Sequence, residues 1–264
     1  MSKIDNKVVW ITGASSGIGE ALTYALSKRG CKLIISARNT AQLEEVKRRS
    51  FTPDAIEIVP LDLAEHHAMP QKVDAALKAF GAIDILVNNA GISQRSLIAE
   101  TTFEVYKKLM DINYLGTVAL TKALLPHFQE RASGHFAVVT SVMGKFGSPY
   151  RSGYCGAKHA LHGFFDVLRM EHEKDQIHVS MICPGFVQTN VAKNALTADG
   201  SAQNTDDEAT QKGITPHALS QRLIRAIEQK KFEVYVGKKE VAGVYLKRFF
   251  PKFLHKFVLR SKVR

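Results

Sequence analysis

Apolar and β-branched residues fall into short runs along the chain, separated by stretches with a helical period. Val8–Thr12, Lys32–Ser36, Ala55–Pro60, Ile83–Asn88, His135–Ser141, Ile177–Cys183 and Phe232–Val236 read as strands. Between them, helical spacing predicts Gly17–Arg29, Thr40–Arg49 and Ala64–Phe80, then two long helices over Thr102–Glu130 and Gly153–Lys174. Strand and helix alternating in this way predict the α/β class. The expected architecture is a single Rossmann-like doubly wound domain, with a seven-stranded parallel sheet flanked by helices on both faces. Its ligand belongs at the carboxyl edge of the strands.

One long segment breaks the alternation. Residues 190–213 are rich in Asn, Thr, Asp, Gly and Gln and have little periodicity. Coming after the sixth strand, at the carboxyl edge, they read as a lid rather than as disorder. No internal repeat or linker divides the chain, so residues 1–240 are taken as one domain and 241–264 as a C-terminal extension.

The loop Thr12-Gly-Ala-Ser-Ser-Gly-Ile-Gly19 joins the first strand to the first helix. Glycine at 13, 17 and 19 permits a tight turn, close approach of a pyrophosphate and helix–strand packing. The helix N-terminus behind it offers N–H groups to that anion. At the end of the second strand the sequence is Ser36-Ala37-Arg38-Asn39. An acid there would bind ribose hydroxyls and repel a 2′-phosphate, whereas Arg38 offers a guanidinium to that phosphate. NADP(H) is therefore favoured over NAD(H). Tyr154 and Lys158 lie four residues apart on one face of a predicted helix. An ammonium beside the phenol predicts a Tyr154 pKa below the ordinary value of about 10, suited to proton exchange near neutral pH.

These motifs recur in order with Asn88-Asn89-Ala90-Gly91 after strand four, Ser141 after strand five and Pro184-Gly185 after strand six. From about Lys7 to Gly237 the chain resembles the classical short-chain dehydrogenase/reductases. The resemblance implies NAD(P)-dependent hydride transfer between nicotinamide and a carbonyl or alcohol. It implies that Ser141 hydrogen-bonds the substrate oxygen, that Tyr154 is the general acid/base, and that Lys158 binds the nicotinamide ribose. Asn113 would organise a water leading to Lys158. Cofactor contacts are implied for Gly13, Ser15, Ser16, Gly17, Ile18, Gly19, Arg38, Asn39 and Leu63, and for Asn89, Ala90 and Gly91. Tyr154, Lys158, Pro184, Gly185, Val187 and Thr189 are implied around the nicotinamide. Asp62 resembles the family's adenine-contacting acid and equally suits an N-cap of the next helix.

Other chemistries find little support. There is no Walker loop and no His-Glu-x-x-His, and His159 and His162 lack a third ligand, so no metal is expected. Cys31, Cys155 and Cys183 form no Cys-x-x-Cys pair and read as free buried thiols in a reducing compartment. No apolar run approaches a membrane span and no signal peptide pattern opens the chain, so the expected location is cytoplasmic.

Charge changes the picture only at the C-terminus. Residues 230–264 hold eleven Lys/Arg against Glu233 and Glu240, and so carry nine of the net +11. A basic tail on a near-neutral body argues against nucleic acid as the partner of the whole protein. Apolar pairs Tyr245/Leu246, Phe249/Phe250, Phe253/Leu254 and Phe257/Val258 recur every four residues among these bases. On helices, with Pro251 opening a second piece, they make a stripe suited to a protein contact or to peripheral contact with an anionic membrane. The extension resembles the tails of the dehydrogenase/reductase member 7 and 11β-hydroxysteroid dehydrogenase branches, which implies a hydrophobic substrate. The family resemblance also implies a homodimer or homotetramer. The alternative is a non-catalytic dinucleotide-sensing or lipid-surface binding protein on the same fold.

Overall fold

The structure, a computed structural model, describes residues 4–260. Seven strands form one parallel sheet in the order β3-β2-β1-β4-β5-β6-β7. They are β1 Val8–Thr12, β2 Lys32–Ser36, β3 Ile56–Ile58, β4 Ile85–Asn88, β5 Gly134–Val139, β6 Ile177–Pro184 and β7 Glu233–Val236. The order reverses between β1 and β4, whose Val9–Ile11 and Ile85–Val87 stand in register. That reversal opens a crevice at the carboxyl ends, where a doubly wound sheet takes its ligand.

Every residue of β1 is buried, because helices cover both faces. The period of two sends Val8 and Trp10 into one core layer and Val9 and Ile11 into the other. The first layer packs under α3 Met69–Phe80, α5 Gly116–Glu130 and α6 Ser152–Glu171, with Phe128, Phe136 and Phe165 at its centre. The second lies under α1 Gly17–Ser27, α2 Thr40–Arg48 and α8 Pro216–Glu228.

Several elements differ from their predicted form. The span Thr102–Glu130 is α4 Phe103–Met110 and α5, joined through a π-helical turn at Asp111–Leu115. The widened turn directs Asn113 inward, where it is wholly buried. α3 starts at Met69, not Ala64, because Pro70 lacks the N–H that an earlier start would need, and a 3₁₀ turn fills His66–Ala68. β5 ends at Val139, which leaves Ser141 beyond the sheet. α8, absent from the sequence expectation, supplies the crossover between β6 and β7. The Thr215 hydroxyl caps it by accepting the Ala218 N–H at 3.2 Å.

Residues 190–213 contain one short helix, α7 Glu208–Gln211, and are anchored despite their polar composition. Ala192, Ala195 and Leu196 are buried, and Leu196 pairs through its backbone with Gln94. The extension forms α9 Ala242–Phe249 and α10 Pro251–Arg260, broken at Pro251 as expected. The single apolar stripe divides: Leu246, Leu254 and Val258 pack on Val142 and Phe146, while Phe249, Phe250, Phe253 and Phe257 are exposed. No helix among the described residues is long and apolar enough to cross a membrane. Cys31, Cys155 and Cys183 are free and buried, as expected.

Candidate active site

The glycine-rich loop leaves β1 with Gly13 at φ +66° and enters α1 with Gly17 at φ +59°, both left-handed. A Cβ at Gly19 would stand 2.3 Å from the Gly13 carbonyl oxygen, so only glycine lets α1 start against the loop. The side chain of Ser16 makes no capping bond and leaves first-turn N–H groups of α1 for a ligand. Asn89 ties the neighbouring loop to this one. Its Nδ2 donates to the carbonyl oxygens of Thr12 (2.9 Å) and Gly13 (3.2 Å). In return Thr12 Oγ1 accepts the N–H groups of Asn89 and Ala90, at 3.0 and 3.1 Å. Thr12 opens the sequence motif, and its locking role rests on contacts that spacing does not show.

At the end of β2 Arg38 is exposed and makes no hydrogen bond or ion pair with the described residues. Asn39 caps α2 by accepting the Gln42 N–H at 3.0 Å. Asp62 accepts the Ala64 N–H at 3.0 Å and so caps a turn, not α3, which begins seven residues further on. Leu63 is buried against Gly116.

Ser141 follows β5 in extended conformation (φ −171°, ψ 160°) and opens the 3₁₀ turn Val142–Gly144. Its Oγ accepts the Met143 N–H at 3.1 Å and donates to the Pro184 carbonyl oxygen at 3.3 Å. Tyr154 stands half-buried in the first turn of α6 and shares the cleft with Ser141. One turn later Lys158 is buried, with Nζ donating to the Val139 carbonyl oxygen at 3.0 Å. Asn113 meets the Ile92 backbone from both ends of its amide, donating at 2.9 Å and accepting at 2.8 Å. It thereby holds the loop of Asn89, Ala90 and Gly91 against the Lys158 region.

The electrostatics correct one expectation. Burial pushes the Tyr154 phenol above its ordinary 10, against the Ser141 hydrogen bond and the Arg95 and Arg151 charges. Lys158 was expected to lower it, yet Nζ lies 5.8 Å from the Tyr154 ring centre and is engaged by Val139. Burial lowers Lys158 itself to about 8.

One open cleft of about 110 Å³ collects these groups. Ile18, Asn89, Gly91, Ser141, Tyr154, Lys158, Pro184, Gly185, Val187 and Thr189 all line it. Ser16, Gly17 and Thr189 line a second cleft beside the glycine-rich loop. At Gly17, in the second cleft, a Cβ would meet Thr189 Cγ2 at 2.9 Å, so glycine is what lets the loop lie against Thr189. Arg38, Asn39, Asp62 and Leu63 lie outside both linings, at the ends of β2 and β3.

Two supports escaped the sequence reading. Asp207, in the 190–213 segment, is buried between Arg95 (2.5 Å) and Arg151 (3.3 Å), both buried. Glu240 accepts the N–H groups of Phe186 and Lys238, each at 3.1 Å, and so clasps the loop after β6. Neither residue belongs to a motif; each pairs across more than fifty residues of chain. His162 also gains neighbours, Cys183 on Nε2 at 3.8 Å and Glu233 on Nδ1 at 3.5 Å. His162, Cys183 and Glu233 thus form a cluster that brings the histidine the neighbours its own helix lacks, with Lys145 also on Glu233 at 2.7 Å.

Comparison with known proteins agrees with this geometry. The family model described as short chain dehydrogenase matches residues 7–200. Human "Dehydrogenase/reductase SDR family member 7" is 43% identical over 257 residues, covering 94% of this chain and 76% of that protein. Among solved structures, a short chain dehydrogenase/reductase from Burkholderia phymatum in complex with NAD superposes with TM-score 0.84 at 23% identity, covering 96% of both chains. An alcohol dehydrogenase from Thermococcus sibiricus complexed with 5-hydroxy-NADP gives TM-score 0.76 at 24% identity, covering 88% of this chain and 97% of the other.

Proposed function

The chain belongs to the short chain dehydrogenase family, and on that premise we propose that it is an NADP(H)-dependent oxidoreductase of hydrophobic carbonyl or alcohol substrates. The observation that carries this reading is the meeting of Ser141, Tyr154 and Lys158 with Ile18 and Asn89 in one cleft. The residues fit a nicotinamide dinucleotide: glycine-lined backbone and free helix N–H groups suit the pyrophosphate, and the cleft beyond suits the ring. When bound, the dinucleotide supplies or takes the hydride.

The chain does the rest. Gly13, Ser15, Ser16, Gly17, Ile18 and Gly19 receive the phosphates, while Asn39, Asp62 and Leu63 lie where the adenosine would rest. Asn89, Ala90 and Gly91 with Pro184, Gly185, Val187 and Thr189 orient the nicotinamide half. Arg38 is exposed at the end of β2, where no acid repels a 2′-phosphate, which supports NADP(H) over NAD(H). In reduction Tyr154 gives its phenolic proton to the substrate oxygen, and in oxidation it takes that proton back. Ser141 turns its hydroxyl from Pro184 to the same oxygen and fixes its position. Lys158 offers a donor for the ribose, and Asn113 holds the facing loop in place.

The exposed Leu115, Val167 and Met170 on the long-helix side support pairing with a second copy, as a homodimer or homotetramer. A cytoplasmic location suits the three free thiols. The exposed aromatics of α9 and α10, set among Lys and Arg with no acid after Glu240, support a peripheral contact with anionic membrane. Titrating NADPH and NADH by nicotinamide fluorescence, with Arg38→Asp alongside, tests the cofactor assignment. NADPH should bind more tightly to the parent protein, by about tenfold or more, and Arg38→Asp should erase or reverse that preference. Equal preference in both proteins would remove Arg38 from the site.

A further inference from the structure

We propose that Gln94 is a positioning residue that caps the catalytic helix α6 from the loop after β4 and sets the place of Tyr154. The proposal rests on the hydride-transfer reading above.

A helix begins with N–H groups that have no partner in its own turn. The residue before α6 is Arg151, whose side chain offers no acceptor and makes no cap. The acceptor comes instead from Gln94, fifty-nine residues earlier in the chain. Its Oε1 takes the Gly153 N–H at 2.7 Å and the Tyr154 N–H at 3.3 Å. Gln94 thus binds the peptide group of the residue that carries the proton.

The side chain has one pose. It is 0% exposed, and its Nε2 donates to Ser96 Oγ at 3.1 Å. Its backbone neighbours are stitched to the 190–213 segment, where Leu196 donates to Ser93 at 2.9 Å and accepts from Arg95 at 2.8 Å. Gly153 completes the fit. A Cβ there would meet Leu109 at 2.8 Å, Tyr106 at 2.9 Å and Gln94 Oε1 at 3.2 Å, so the close approach requires glycine. Removing the acceptor orphans the buried Gly153 N–H and the part-buried Tyr154 N–H and frees the first turn, and Tyr154 with it.

Gln94 is neutral among charges that reach the phenol. Arg95 comes from its own loop and Arg151 from the start of α6, with Asp207 between them. Cys155 and Ser141 face Tyr154 directly, and Lys158 stands one turn away on Val139. A carboxylate at position 94 would keep the cap and add a charge that opposes the phenolate.

The test uses the full chain and two variants, Gln94→Met, without an acceptor, and Gln94→Glu, with one. Ultraviolet tyrosinate absorbance isolates Tyr154 by difference from the matching Tyr154→Phe protein, while turnover is read with NADPH and an aromatic quinone. Gln94→Met should lower kcat between about tenfold and a hundredfold with KM for NADPH unchanged. Gln94→Glu should restore most of kcat and move the Tyr154 titration to higher pH. Wild-type kcat in Gln94→Met would overturn the proposal. Should that variant fail to fold, an unmoved Tyr154 titration in Gln94→Glu would overturn it. If the parent protein binds NADPH yet reduces no quinone, the hydride-transfer reading is in doubt, and the titration still decides the role of Gln94.

Discussion

Lys158 follows Tyr154 by one turn of α6, bonds to the Val139 carbonyl oxygen at 3.0 Å, and is lowered to about 8 by burial. The Tyr154 phenol is raised by burial, so both groups resist charge in the free protein. Carbonyl reduction needs the phenol protonated and the ammonium charged. Both conditions hold below about pH 8, and the second is lost as pH rises through that value. Accordingly kcat/KM for reduction should stay level below about pH 8 and fall above it. Lys158→Arg, whose guanidinium keeps its charge, should move the fall to higher pH. A pH profile that Lys158→Arg leaves unchanged would detach the limb from this residue. At this scale the sequence showed which residues meet and not what surrounds them. Tyr154 and Lys158 announced themselves by spacing, whereas the acceptors of both, Gln94 and Val139, belong to other elements and carry no motif.

The sheet was readable from its apolar runs, because parallel strands covered on both faces are apolar throughout. Element ends and joins were harder. The π-helical turn that directs Asn113 inward leaves the helical period nearly intact, so Thr102–Glu130 reads as one helix. α8 was missed although Thr215 and Pro216 form a clear start, since the polar stretch before it hides the onset of the period. In the 190–213 segment one charge, Asp207, turns inward, while Lys193, Asp199, Asp206, Glu208 and Lys212 stay exposed. Burial raises the Asp207 carboxyl, but Arg95 and then Arg151 outweigh that and hold it below the ordinary carboxylate range. Asp207→Asn leaves two buried guanidiniums with weaker partners and should cost about 3–5 kcal/mol in urea unfolding. Because the folded pKa is depressed, this stabilisation is present above the ordinary carboxylate value and is lost as pH falls through the folded one. A change below about 0.5 kcal/mol would show that the cluster does not anchor the segment.

Over the whole molecule, charge and apolar surface separate along the chain. The body is near neutral, and the basic C-terminal helices rest on the site they follow: Leu254 packs with Phe146 and Val142, the residue after Ser141, while Glu240 clasps the loop after β6. Composition foretold the basic aromatic stripe but not its division, since only packing decides that Leu254 turns inward and Phe249, Phe250, Phe253 and Phe257 turn out. Vesicles rich in anionic lipid should sediment the protein at low salt and release it at high salt. Replacing Phe249, Phe250 and Phe253 by Ser should abolish sedimentation without loss of the fold. Equal sedimentation of the two proteins would rule out the exposed aromatics as the contact. The central claim concerns the cleft, and Tyr154→Phe tests it most directly, with NADPH binding read by fluorescence and nicotinamide oxidation by absorbance on ketones, steroids and quinones. The expected result is unchanged NADPH affinity with turnover reduced by about a hundredfold or more. Turnover equal to that of the parent protein would contradict Tyr154 as the proton donor, and with it the reading of the site.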